Sequence, residues 1–334
     1  MAHYSDEELK DFSVDEIDKH VILSQEQEEI KQKIIQSLIA DEDKTASLII
    51  GGVGTGRTLI SVRLLEAFNN GNKKSKKREN SMNSIKDLRD GLINLGINKG
   101  DAVLVHSSFK ALGEMEKGAE GVYEALFDAV GSKGTVVFPT LTFSPVYQTK
   151  VFDVTNTPSC VGYLSDAFRK LEGAKRSMHP THSCAAIGNE SRYLIENHEK
   201  DETPIGANSP FTKLPIIGGK ILMLGVGLAP MTSMHGVEET IEQIFISKEK
   251  TEYTMIDENE NQFKMSVRRH SFIAQGYGQR YDRLEGALTK DAFTCGDVIG
   301  AKSYLVDATK LWKQAHDIIK KDPYYFVDRA THKL

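Results

Sequence analysis

Within the stretch Ile221–Glu239, ILMLGVGLAPMTSMHGVEE, His235 and Glu238 stand three residues apart. On a helix that spacing puts both side chains on one face. An imidazole beside a carboxylate is equipped for proton transfer near neutral pH. The carboxylate fixes the ring tautomer and stabilises the imidazolium. The same spacing is common on solvated helices, so the pair needs support from the elements around it.

Those elements are legible. Ile221 to Leu224 form an apolar run closed by Gly225 and Gly227, which reads as a buried strand. Pro230 breaks the chain, and Thr232 and Ser233 are good N-cap residues for a helix carrying His235. In α/β proteins ligands gather at the C-terminal ends of strands, where this junction lies.

The chain has 334 residues, a net charge of -5, 27% charged and 40% hydrophobic residues. That is an ordinary globular composition, and the negative balance argues against a nucleic-acid partner. The three cysteines, Cys160, Cys184 and Cys295, lie far apart with no Cys-x-x-Cys pair, which suits reduced thiols in a cytosol. The polar start MAHYSDEELKD is no secretory signal, and no apolar run approaches the ~18 residues of a membrane span. A cytoplasmic protein without membrane partners is expected.

Residues 1–80 differ in character from residues 81–334. A capping box at Ser24 and Gln27 starts a helix over 25–39, and Leu48–Ile50 reads as a strand. Gly51-Gly52-Val53-Gly54-Thr55-Gly56-Arg57-Thr58 and a helical run through Leu65 to Phe68 follow. The glycines fit a phosphate-cradling loop except that Arg57 stands where Lys is expected. Residues 20–70 resemble the opening of a helicase-like P-loop ATPase. No acidic strand end or further parallel strands follow, so the segment reads as a truncated relic. A polar, basic linker over 69–80 closes it.

In the second unit Ile85, Leu88, Leu92 and Leu95 mark a helix stopped by Gly96. Ala102–Val105 is a buried strand delivering His106, Ser107 and Ser108. Helix 122–130, strand 135–138 and a loop of about 20 residues come next; so long a loop suggests function. Thr157-Pro158-Ser159 reads as the cap of a helix with Leu164, Phe168 and Leu171, and 184–187 as a strand. A hairpin of 251–256 with 263–267, a strand at 303–306 and a helix at 309–319 finish the chain. Alternating strands and helices with a late hairpin predict an α/β sandwich on a mixed sheet.

Several short motifs then occur in order: His106-Ser107-Ser108 after a strand, Gly134-Thr135 before Pro139-Thr140, Thr157-Pro158-Ser159 with Gly162, and Arg176-Ser177 with His179-Pro180. Ser209-Pro210 with Lys213-Leu214, Leu224-Gly225-Val226, Thr232 and His235-x-x-Glu238 complete the set. Together they resemble the aminoglycoside 3-N-acetyltransferase (antibiotic N-acetyltransferase) family over about residues 82–330. The resemblance implies a three-layer α/β sandwich distinct from the GNAT fold. It also implies acetyl transfer from acetyl-CoA to an amine of an amino sugar, the chemistry of antibiotic resistance. His235 then matches the catalytic histidine and Glu238 its carboxylate partner. His106, Ser107, Ser108, Phe109, Thr157, Pro158, Ser159, Gly162, Arg176, Ser177 and His179 fall in cofactor-binding positions. No metal is expected.

A thioester is already activated, whereas a sugar amine is largely protonated at neutral pH, so a base is required. His235 is that base in this reading, Glu238 orients it, and backbone amides around Ser107–Phe109 receive the oxyanion. Helix starts at Ser108 and Ser159 suit the cofactor phosphates. Asp153, Glu202 and Glu239 are candidates for a cationic acceptor. The rival chemistry, an acylated Ser107 served by His106, is opposed by the alternation of side chains along a strand. His179 and His182 are three apart but lack partners for a zinc site; His179 is expected to line the cofactor pocket and His182 to be packed and hydrogen-bonded. A surface-polysaccharide or natural-product amino sugar as acceptor, a P-loop nucleotide-binding module, and an inactive binding scaffold remain as alternatives. A homodimer is left open.

Overall fold

The computed structural model describes residues 82–241 and 244–329, together with two short strands upstream. Those strands, Ser47–Leu48 and Val62–Arg63, pair antiparallel. The run Leu65 to Phe68, read as helical, lies outside the described residues. The helix expected over 25–39, the phosphate-loop glycines and the basic linker lie outside the described residues.

The unit Glu79–Leu334 is built as follows. Helix α1, Ile85–Leu95, opens with Ser84 accepting the Asp87 amide and closes on Gly96 at φ 119. Strand β1 is Ala102–Ser107, and after a 3-10 turn at Phe109–Leu112 comes α2, Gly118–Val130. Strand β2, Thr135–Pro139, leads to α3, Phe143–Thr149, and β3, Val151–Asp153. Helix α4, Tyr163–Phe168, is followed by β4, Lys175–Arg176, β5, Cys184–Gly188, and α5, Ser191–Ile195. Helix α6, Pro210–Ile216, precedes β6, Lys220–Leu224, and α7, Ser233–Glu239. Strands β7, Ile246–Ile256, and β8, Gln262–His270, form the expected hairpin at greater length. The chain ends with β9, Tyr277–Gln279, α8, Leu284–Ala287, β10, Phe293–Val298, β11, Ala301–Asp307, α9, Ala308–Lys321, and β12, Val327–Arg329.

Seven strands form one mixed sheet in the order β10-β11-β6-β1-β2-β5-β4. The central trio β6, β1 and β2 is parallel and the outer pairings are antiparallel. Strand alternation divides its side chains between two cores. Leu104, Val137, Ile221, Met223 and Val306 pack on one face with Phe211 and Leu214 of α6, Met234 and Val237 of α7, and Leu311 and Ala315 of α9. Val103, Val105, Val136, Phe138, Leu222 and Leu224 pack on the other with α1, α2 and α4. The result is a three-layer α/β/α sandwich. A smaller sheet, β8-β7-β3, carries its own apolar cluster around Phe152, Tyr253 and Met255.

The long segment after Pro139 is not plain loop, since it contains α3 and β3. Arg176 holds it in place. Its guanidinium donates to the carbonyls of Thr140, Val154 and Thr157 and to the hydroxyls of Thr140 and Ser183, and it lies 4.9 Å over the Phe152 ring. Burial lowers its pKa to about 9. Arg176, expected among the cofactor-binding positions, thus anchors this segment, with one Nη2 hydrogen left outside these bonds.

Ser177 and His179, expected at cofactor-binding positions, are placed in the interior. Both are buried. Ser177 Oγ accepts the Cys184 amide and sits 2.8 Å from His198 Nδ1. His179 Nδ1 accepts the amides of Thr181 and His182, and its ring stacks on His198 at 4.7 Å. These groups shape the turn before β5 from inside instead of lining a pocket.

Two measurements check this packing. Gly236 lets α7 approach α9: a Cβ there would stand 2.7 Å from Trp312 Cη2 and from Ile205 Cγ2. Gly236→Ala should therefore cost about 1–3 kcal/mol in urea denaturation, and an unchanged midpoint would contradict the close approach. Burial lowers the pKa of His179 from 6.5 to about 3 and of His106 from 6.5 to about 4. A folded pKa below the unfolded one means that the unfolded chain takes up protons that the native state refuses. Their contribution is intact above pH 6.5 and is lost as pH falls towards 3, at about 1.4 kcal/mol per pH unit per group. His179→Asn, which offers an oxygen to the same amides, should flatten the acid slope by about one proton; an identical slope would rule this out.

Candidate active site

The site is set by the ends of two parallel strands. Ser107 pairs with Leu224, and the Ser108 amide donates to the Leu224 carbonyl at 3.0 Å. Gly225 then turns at φ 65, where a Cβ would meet the Ala111 methyl at 2.7 Å. That turn releases the chain to α7, which begins one residue after Thr232. Thr232 occupies the N-cap position without a side-chain capping bond.

Helix α7 presents His235 and Glu238 together, 3.4 Å apart. The closer contacts run through Tyr281, whose Oη lies 2.9 Å from His235 Nδ1 and donates to Glu238 Oε2 at 2.8 Å. Burial, and after it the Glu238 charge, hold the phenol pKa well above its ordinary value, so Tyr281 keeps its proton. That single proton goes to Glu238, so His235 Nδ1–H donates to Tyr281 Oη. His235 Nε2 carries the lone pair and has no hydrogen-bond partner among the described residues.

Tyr281 had no signature in the sequence. It lies 46 residues beyond His235 on a single 3-10 turn, Tyr281–Arg283. Its flanking arginines show how it is held. Arg280 and Arg283 both pair with Asp328 of β12, and Arg280 also pairs with Asp282.

A second imidazole stacks on His235: the His270 ring lies 4.1 Å away at 31°. A β-bulge aims it there, since β7 takes four residue steps from Lys250 to Ile246 while β8 takes two from Arg268 to His270. His270 Nε2 is 2.9 Å from Glu239 Oε1, and both Glu239 oxygens accept the Ile205 amide. Burial raises Glu239 to about 8 and pushes His270 well below its ordinary value. Both shifts point to a neutral acid–imidazole pair at pH 7 and not an ion pair. His182 meets His270 edge-on at 5.2 Å and places Nδ1 2.9 Å from Thr181 Oγ1. His235, Glu238, Glu239, His270 and Phe272 line a common cleft, whose remaining wall is apolar.

The expected cofactor residues divide. Phe109 and Tyr163 bring the Ser107–Phe109 turn and the start of α4 together, ring centroids 5.6 Å apart, with Tyr163 63% exposed. Ser159 does not cap α4. Gly162 does so by position, while the Ser159 amide donates to Asp166 and its hydroxyl accepts the Val161 amide. Thr157 Oγ1 accepts the Asp153 amide across the turn at 154–156, and Pro158 follows just after it. His106 is half-buried with a buried, unpartnered Nε2, and no hydrogen bond joins it to Ser107 among the described residues.

The acidic candidates do not converge. Asp153 closes the turn at Thr155 and Asn156, Glu202 pairs with Lys250 on the surface, and Glu239 is buried. Asp153 pairs with Ile256, six residues along β7 from Lys250, roughly 20 Å in an extended strand.

Three comparisons bear on this arrangement. Aminoglycoside N(3)-acetyltransferase III from Salmonella sp is 34% identical over 174 residues, covering 47% of this chain and 60% of that protein. The chain thus spans about 60% of the length of the curated relative it matches. The crystal structure of aminoglycoside acetyltransferase AAC(3)-IVa in complex with gentamicin is similar at TM-score 0.64 and 26% identity, over 74% of this chain and 92% of that one. AAC-IIIb, solved with CoASH, shares the fold at TM-score 0.63 and 24% identity, over 76% and 100%. The family model for aminoglycoside 3-N-acetyltransferase matches residues 104–320, well over half of the sequence, and the chain belongs to that family.

Proposed function

We propose that the chain transfers an acetyl group from acetyl-CoA to an amino group of an aminoglycoside or related amino sugar, with His235 as general base. The observation that carries this is the relay from His235 Nδ1 through Tyr281 to Glu238. It commits one ring nitrogen and leaves Nε2 as a base at the cleft. Family membership and a relative solved with gentamicin support the acceptor class; a fold neighbour solved with CoASH supports the donor. An antibiotic acceptor makes this a resistance activity.

His235 Nε2 takes a proton from the acceptor ammonium. The freed nitrogen lone pair attacks the thioester carbonyl carbon, and the C–S bond breaks as the tetrahedral intermediate collapses. His235 passes that first proton to the leaving thiolate, then takes the second proton from the amide nitrogen and releases it to solvent, so one proton leaves per turnover. Glu238, acting through Tyr281, stabilises the imidazolium without touching substrate. The Ser108 amide is already donated to Leu224, which leaves the Phe109 amide as the oxyanion donor. The exposed Tyr163 ring beside Phe109 offers a flat apolar surface for the cofactor.

Release of the CoA thiol, assayed with gentamicin-like aminoglycosides and simpler amino sugars, tests the reading. His235→Ala should lower kcat/KM by about 10²–10⁴-fold with little change in the KM for acetyl-CoA. Tyr281→Phe should lower it by roughly 10–100-fold, the loss of one charge-assisted bond. Activity surviving in His235→Ala would remove the proposed base, and normal turnover in Tyr281→Phe would remove the relay.

A further inference from the structure

Arg269 has no part in the steps above. It is the residue skipped in the bulge of β8, between Arg268, which pairs with Lys250, and His270, which pairs with Ile246. It is half-buried, and its guanidinium lies 4.8 Å over the ring of Tyr147 in α3. That ring face is its only side-chain partner among the described residues. Tyr253 of β7 stands close by. It is fully buried, yet its Oη has no hydrogen-bond partner among the described residues; Thr251 lies near it without making that bond. Arg269 acts on the phenols of Tyr147 and Tyr253 alike, favouring negative charge at both. A second cation, Lys150, holds its ammonium 5.6 Å from the Tyr253 ring centroid.

This group borders the cleft. His270, next in the chain to Arg269, stacks on His235 at 4.1 Å. Helix α3 starts at the same histidines. The Thr142 amide donates to the Thr181 carbonyl at 3.0 Å, and His182 meets the rings of both His270 and His235 edge-on. Tyr147 follows roughly 8 Å along that helix.

We propose that Arg269 and the Tyr253 hydroxyl bind an anionic oxygen group on the acceptor, so that the acceptor is an amino sugar bearing a phosphate or carboxylate and not a polycation. The proposal rests on the acetyl-transfer reading given above. A guanidinium removed from water without a counter-charge and a buried hydroxyl without a partner both cost stability. One oxyanion satisfies both: the planar fork donates two parallel bonds, and the phenol supplies a further donor. The acidic candidates are committed elsewhere, Asp153 to its own turn, Glu202 to Lys250 and Glu239 to the Ile205 amide. Among the described residues they form no cluster that matches a polycation.

The test measures CoA thiol release with glucosamine 1-phosphate, glucosamine 6-phosphate and 2-aminoglucuronate beside glucosamine and gentamicin. An anionic acceptor should exceed glucosamine in kcat/KM by about 10–100-fold, chiefly through KM, the effect of charge-assisted hydrogen bonds. Arg269→Gln should bring that ratio close to one without raising the KM for acetyl-CoA. Tyr253→Phe should reduce it by about 3–10-fold with no fall in the urea midpoint, and it serves if the Arg269 variant fails to fold. The proposal is overturned if glucosamine or gentamicin is used as well as every anionic acceptor, or if the ratio survives either variant intact. It is also overturned if Arg269→Gln raises the KM for acetyl-CoA instead, since the anion is then the cofactor's. Calorimetric binding of the same sugars to the full chain, without acetyl-CoA, reads the same ratio with no turnover. Anionic sugars bound through Arg269 with no thiol released would uphold this proposal and remove acetyl transfer; thiol released with no preference for an anion would do the reverse.

Discussion

The hydrogen bond between Tyr281 Oη and His235 Nδ1 determines what the cleft can do, because it decides which ring nitrogen carries a proton. A helix alone would offer the imidazole a carboxylate at 3.4 Å, too long for a strong charged bond. The phenol closes that gap with a contact of 2.9 Å on one side and 2.8 Å on the other. A tyrosine suits this position because burial beside a carboxylate makes it harder to ionise, so it transmits orientation without adding charge. The histidine and its relay therefore behave as one unit whose parts come from α7 and from a 3-10 turn far along the chain.

The scaffold can be followed back to that requirement. Parallel β1 and β6 bring two chain reversals side by side, and Gly225 lets the second turn tightly against Ala111. Helix α7 then seats against α9 through the bare backbone of Gly236. The β7–β8 hairpin, bulged near its end, delivers His270 from the small sheet. Three elements of different origin converge on one imidazole, and each is fixed by a local device: a turn, a close helix approach, a bulge.

The sequence made the large sheet legible because its strands are short apolar runs bounded by glycine, and because His235 and Glu238 lie within one helical turn. What it concealed follows from the same physics. Tyr281 sits in a polar stretch without periodicity, and its role arises only from tertiary contact. Strand β10 escaped notice because Thr294, Cys295, Gly296 and Asp297 do not alternate apolar with polar on a half-exposed edge. Ser159 looked like a cap, but Gly162, at φ 112, takes that position and Ser159 is bound to Asp166 and Val161. Arg176, Ser177 and His179 carried the right residue types for a cofactor pocket. Burial and internal hydrogen bonds, invisible in a linear motif, turned them inward.

The grip of Arg176 has a consequence for how such a protein diversifies. On the side of the segment it restrains, it holds Val154 and Thr157 by their carbonyl oxygens, which every amino acid supplies. Solvent-facing side chains between Phe143 and Asn156 that make no turn hydrogen bond of their own, unlike Thr149 and Asn156, can therefore change while the segment keeps its path. Mutational novelty at that rim is thereby uncoupled from the integrity of the frame beneath it.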